Sequence, residues 1–162
     1  MTAADVTVTA SDATEVAERQ RAWIHGWDRI EGAPEQPFEA VFAPHHDMDA
    51  DVILFDDADP QRRVFRRVAD YADAFWPTFQ ALRSARHAIP EGPDVIVSGD
   101  LAVARMAFVA ELVPHEGEPT RLRCQTSHVW RRTAERDWHV VRDQTACEPI
   151  AAEALEAAFA AE

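Results

Sequence analysis

Three stretches decide the fold: LAVARMAFVAELV at 101–113, RLRCQTSHVWRR at 121–132 and WHVVRDQT at 138–145. Each alternates apolar and polar side chains over much of its length, a period of two that reads as strand. The links between them are short and polar: PHEGEP at 114–119 and the turn at 133–137. Long strands joined by tight polar turns form an antiparallel meander. A shorter strand at 94–97 precedes them, closed by the turn Ser98-Gly99-Asp100.

Upstream the period changes. Ser11 and Asp12 suit a helix N-cap, and Val16, Gln20, Trp23, Trp27 and Ile30 recur at helical spacing until Gly32-Ala33-Pro34 ends the run. A short helix is predicted over 37–42 and a strand over 52–55, followed by an acidic turn, Asp56 to Pro60. Val64, Val68, Tyr71, Phe75, Phe79 and Leu82 then repeat at threes and fours, a helix that Pro77 should kink or restart. The Ala-rich end after Pro149 fits a last helix. Helices first and strands later give an α+β domain with helices packed on one face of a curved antiparallel sheet. The predicted organisation is a flexible arm at 1–11, one domain at 12–149 and a helical tail at 150–162.

The chain of 162 residues carries 29 acidic and 16 basic residues, a formal charge of −13. All the basic residues are Arg, and there is neither Lys nor Asn. Schiff-base and P-loop lysine chemistry are thereby excluded, as is a Cys-His-Asn catalytic set. The negative charge argues against binding nucleic acid or an anionic membrane surface. No apolar run approaches the length of a membrane span, and the acidic first residues do not read as a signal peptide. Cys124 and Cys147 fit no zinc spacing and read as two reduced thiols of a cytoplasmic protein. A disulfide stays open if both lie on neighbouring strands.

The order of elements resembles the nuclear transport factor 2-like superfamily, and within it the SnoaL-like and ketosteroid-isomerase-like proteins. The residues that carry the resemblance are Phe55-Asp56 at the end of the first strand, Val97-Ser98-Gly99-Asp100-Leu101-Ala102 at a Gly-Asp turn, Ser127-His128-Val129-Trp130-Arg131-Arg132 in the penultimate strand, and Trp138-His139-Val140-Val141 opening the last. The resemblance implies a cone with one apolar pocket, a small hydrophobic ligand, no cofactor, and a homodimer formed through the sheet face. It admits two functions: proton transfer on a carbonyl compound by an isomerase, dehydratase or cyclase, or a binding or association domain with a vestigial pocket.

Asp56 matches the position of a general base, since a buried carboxylate with a raised pKa can shuttle a proton between carbons. Asp56, Asp57 and Asp59 equally suit a solvated turn, and a slip of one residue would swap Asp56 for Asp57. His128, on one strand face with Cys124, Thr126 and Trp130, matches an oxyanion-stabilising position; the plainer reading is a half-buried His bonded to a neighbour. Many SnoaL-like proteins have His and Ser where this chain has Gln144 and Ala146. Gln144 could anchor a ligand but not accept a proton. Arg142 could bind a carboxylate. Arg105 could sit between two carboxylates as in epoxide-hydrolase members, or on the outer face. Trp27, Trp76, Phe79 and Trp130 are expected to line the pocket. His45, His46, Asp47, Asp49 and Asp51 match no metal motif and read as an acidic loop, so no metal is expected.

Overall fold

The computed structural model describes residues 10–135 and 137–161. The predicted N-terminal arm lies almost wholly outside them. Helix α1 runs Ala10–His25 and the short α2 Phe38–Phe42. Strand β1 spans Asp51–Asp56, β2 Val64–Arg67, and helix α3 Val68–Gln80. Four long strands follow: β3 Leu82–Ser98, β4 Leu101–Pro114, β5 Thr120–Arg132 and β6 Trp138–Pro149. Helix α4, Ala152–Ala160, closes the chain.

The strands make one sheet in the order β2-β1-β6-β5-β4-β3. The meander β3–β6 is antiparallel throughout, while β1 lies parallel to β6. Alternation sets the two faces. Ala102, Ala104, Met106 and Phe108 of β4 are buried against Cys124, Thr126, His128 and Trp130 of β5. Leu101, Val103 and Arg105 face outward. Helix α1 lies over the inner face, where Val16, Gln20, Trp23 and Ile24 are buried. Helix α4 packs against the sheet through Leu155, beside Ala88 and Val109.

Three elements differ from the sequence expectation. Val64 to Arg67 form a strand rather than the first turn of the helix, because β1 offers an edge with which they pair. Helix α3 runs through Pro77, whose ring nitrogen cannot donate to the carbonyl four residues back, and the helix ends three residues later at Gln80. Strand β3 starts at Leu82, inside the predicted helical pattern, and crosses the cis Gly92–Pro93 bond. Gly92 has φ +86°, and a Cβ there would lie 2.8 Å from the Arg105 carbonyl. Ladder register shifts on both sides of Glu91, so the glycine sits where the strand bends. Ile30, predicted on the buried face of α1, lies beyond the helix end and is 76% exposed.

The cysteines do not read as predicted. Cys124 and Cys147 pair directly across β5 and β6 and are joined by a disulfide.

Candidate active site

Between α1, α3 and the inner face of the sheet lies a cavity of about 240 Å³. Its walls are mostly aromatic. Trp23 and Trp27 come from α1 and the turn after it, Phe75 and Phe79 from α3, and Phe108 from β4. The disulfide forms part of the floor, since both cysteines line the cavity. Trp27 meets Phe79 edge to face at 5.1 Å, which fixes that corner.

Two proton-carrying stations interrupt the apolar wall. The first is Asp56, where β1 runs into the turn. Its Oδ1 accepts the Ala58 N–H at 2.9 Å, and the Tyr71 hydroxyl of α3 donates to its carboxylate. Burial pushes the Asp56 carboxyl up to about 7, with the charges of Asp143 and Asp57 adding to it against those two hydrogen bonds. Tyr71 is itself held well above its ordinary value by burial and by the charges of Asp56 and Asp143, so it remains a donor. Asp57 does different work: its Oδ1 accepts the Cys147 N–H at 2.8 Å and ties the turn to β6. Asp59, also at the cavity, is held by Arg63 through two side-chain bonds of 2.9 and 3.0 Å, far below the carboxylate range.

The second station is His87 of β3, a cavity-lining residue only 8% exposed. Its Nδ1 lies 2.8 Å from Oδ1 of Asp28. Burial would raise Asp28, but hydrogen bonds and charge from His87 and His25 outweigh it and hold the group below its usual value. An ionised carboxylate only accepts, so Nδ1 carries the hydrogen. In the neutral ring Nε2 is then the lone-pair nitrogen, and it is the one left for a ligand.

Of the residues expected at the site, Asp56, Trp27 and Phe79 line the cavity. Trp76 stacks on Phe79 at 5.1 Å but lines a separate depression of about 130 Å³. His128 is fully buried outside the cavity lining. Its Nδ1–H donates to Gln20 Oε1 at 3.0 Å, Nε2 lies 3.3 Å from Asp143, and Trp23 packs edge-on against its ring at 4.3 Å. Trp130 is core, with its indole N–H on the same Gln20 oxygen. Arg105 is half-exposed on the outer face, bonded to Glu91 and Gln125. Arg142 and Gln144 are exposed and touch each other. The cause is one extra residue in β6: Trp130 pairs with Val140 and Val129 with Arg142, so Val141 is bulged out. Trp138 and Val140 point inward, but past the bulge the inward positions are Asp143 and Thr145. His45 and His46, read as part of an acidic loop, are buried, His46 stacked on Phe42 at 3.9 Å.

The sequence reading missed His87 and Asp28. The signal was the alternation of Ala85, His87 and Ile89, hidden because that segment continued a helical pattern. The sequence places Tyr71 only in the apolar repeat of the helix, although a lone buried tyrosine needs a hydrogen-bond partner.

Comparison of the folded chain with solved structures settles its architecture. A nuclear transport factor 2-like superfamily protein from Salmonella enterica superposes with a TM-score of 0.72 over 90% of this chain and 96% of that one, at 16% identity. The chain has the nuclear transport factor 2-like fold. A ketosteroid isomerase-like protein from Erwinia carotovora covers 91% of this chain and all of its own, with a TM-score of 0.58 and 18% identity. The association domain of C. elegans CaMKII covers 85% of this chain and 95% of its own, with a TM-score of 0.57 and 16% identity. No protein-family model and no curated protein matches the sequence. A ketosteroid isomerase-like protein and an association domain thus share this nuclear transport factor 2-like frame, so the fold alone does not decide function. No helix among the described residues is long and apolar enough to cross a membrane.

Proposed function

We propose that the protein catalyses cofactor-free proton transfer on a small hydrophobic carbonyl compound, as an isomerase, dehydratase or cyclase does. One observation carries this reading: a carboxyl pushed up to about 7 and a carboxylate-held imidazole line the same apolar cavity. A carboxyl that keeps its proton near neutrality and an imidazole with one nitrogen held and the other facing the ligand space supply an acid and a base. His87 is the base and Asp56 the acid. A C–H bond next to the carbonyl gives its proton to His87 Nε2, its electron pair becomes a C=C bond, and the carbonyl oxygen takes the Asp56 proton. Where a further C=C bond is conjugated to the enol, His87 returns its proton to the far carbon, the enol O–H proton goes back to Asp56 as the C=O bond re-forms, and the isomerisation is complete. Asp28 holds the imidazole tautomer and Tyr71 orients the Asp56 carboxyl. His128 has no contact with the ligand in this reading.

Deuterium uptake at the enolisable carbon of 2-tetralone in D₂O, followed by NMR, tests it without knowledge of the natural substrate. Uptake should exceed buffer catalysis and fall at least tenfold in Asp56→Asn and in His87→Gln. Equal uptake by the wild type and both variants contradicts it.

A second reading, a non-catalytic association domain, is favoured by the outer sheet face, which exposes Ile53, Ile96, Leu101 and Val103. That face supports a homodimer in either reading, checked by light scattering on wild type and Val103→Glu. The disulfide overturns the reading of two reduced thiols, one of the grounds for expecting a cytoplasmic protein.

A further inference from the structure

We infer that the cavity selects an uncharged compound of one or two rings, and rejects carboxylates, phosphates and four-ring skeletons. The inference takes its location from the reading above but not its chemistry.

Charge is the first argument. No arginine among the described residues lines the cavity, and the chain has no lysine. Arg105 and Arg142, candidate cationic anchors in the sequence, lie on the outer face, and Arg123 is paired there with Glu91. Arg63 at the rim is spent on Asp59. His87, when protonated, already faces the Asp28 carboxylate. An anionic ligand would therefore lose its hydration, meet no free cation, and lie beside Asp56.

Size is the second. A cavity of about 150 Å³ encloses benzene, so the one of about 240 Å³ here takes on the order of ten non-hydrogen atoms, and a larger skeleton would leave rings outside the open mouth in water. That is a fused pair of rings. The walls match: Trp23, Trp27, Phe75, Phe79 and Phe108 offer faces and edges for flat rings, and Asp56 and His87 give the ligand two polar contacts.

Binding of three probes, by calorimetry on the intact protein at pH 8, tests this. The probes are 2-tetralone, its anionic size match 2-naphthoate, and the four-ring ketone androst-4-ene-3,17-dione. We expect saturable binding of 2-tetralone, with the other two at least tenfold weaker. Asp56→Asn should shrink the gap between 2-tetralone and 2-naphthoate severalfold while leaving the steroid excluded. Equal or tighter binding of 2-naphthoate or of the steroid overturns the inference, and so does failure of 2-tetralone to bind at millimolar concentration. The expected binding order without accelerated deuterium uptake would leave the selectivity standing and sink the proton-transfer reading alone.

Discussion

Two polar regions lie on the inner face of the same sheet, and they have opposite fates. One is the layer of Gln20, Thr126, His128 and Asp143, all 4% exposed or less and linked to one another, with Thr145 joining it to the cavity wall. The other is the cavity, where Asp56 and His87 each have a single supporting side chain and then face an apolar space. Both hold a histidine beside a carboxylate. In the first, both ring nitrogens have partners within the chain. In the second, one nitrogen is held and the other is left over. An inward-facing titratable residue is therefore not a site in itself; a site also needs an unspent hydrogen-bonding position and room for a ligand.

Substitutions can break this contrast. His128→Ala should have the largest effect on stability, about 3 kcal/mol, because it opens a cavity against Trp23 and takes one bond from Gln20 and one contact from Asp143. Urea unfolding measures it, and a loss below about 0.5 kcal/mol would make the closed layer no different from a surface.

Next is the acid response of His45, which borders that layer. Burial, reinforced by the charges of Arg19, His128 and His139, lowers it to about 4. Its folded value lies below the unfolded one, so its contribution is intact above about pH 6.5 and is lost as pH falls toward 4. Between those values the wild type should lose about 2 kcal/mol more than His45→Gln, read from urea midpoints. Parallel pH profiles for the two proteins would contradict it.

Asp56→Asn has the opposite sign. The Asp56 carboxyl is raised, so the stability of the neutral form is present below about pH 4 and lost as pH rises through about 7. The amide does not titrate. The variant should gain about 1–2 kcal/mol at pH 8, allowing for partial exposure, and nothing at pH 4. Destabilisation at pH 8 would place Asp56 with the closed layer of His128. Arg105→Ala, on the outer face, should change stability by less than about 0.5 kcal/mol.

The fold was legible because periodicity reports burial, and burial governs most of this chain. The meander and α1 follow from that rule. Three local departures hid the site. The helical spacing of Val64 and Val68 continues across β2, and Leu82 continues it into β3, so the strand face that bears His87 did not register. The bulge at Val141 reverses the parity of β6, which sent Arg142 and Gln144 outside and brought Asp143 and Thr145 in. No sequence pattern signals such an inserted residue; hydrogen bonding to the neighbouring strand decides it. Asp28 reaches His87 across 59 residues of chain, a pairing set by the backbone bridge of Arg29 to Ala85 and by the packing of α1 on β3. Asp56 was visible because it closes a short apolar strand, and the choice between it and Asp57 fell to the turn, which gives Asp57 to the Cys147 amide.

The central claim is that the cavity holds a carboxyl poised to carry a proton at neutral pH. A ¹³C NMR titration of the Asp56 side-chain carboxyl, assigned by comparison with Asp56→Asn, measures it directly. The structure predicts a midpoint near 7. A midpoint near 4, the ordinary carboxylate value, would contradict the account.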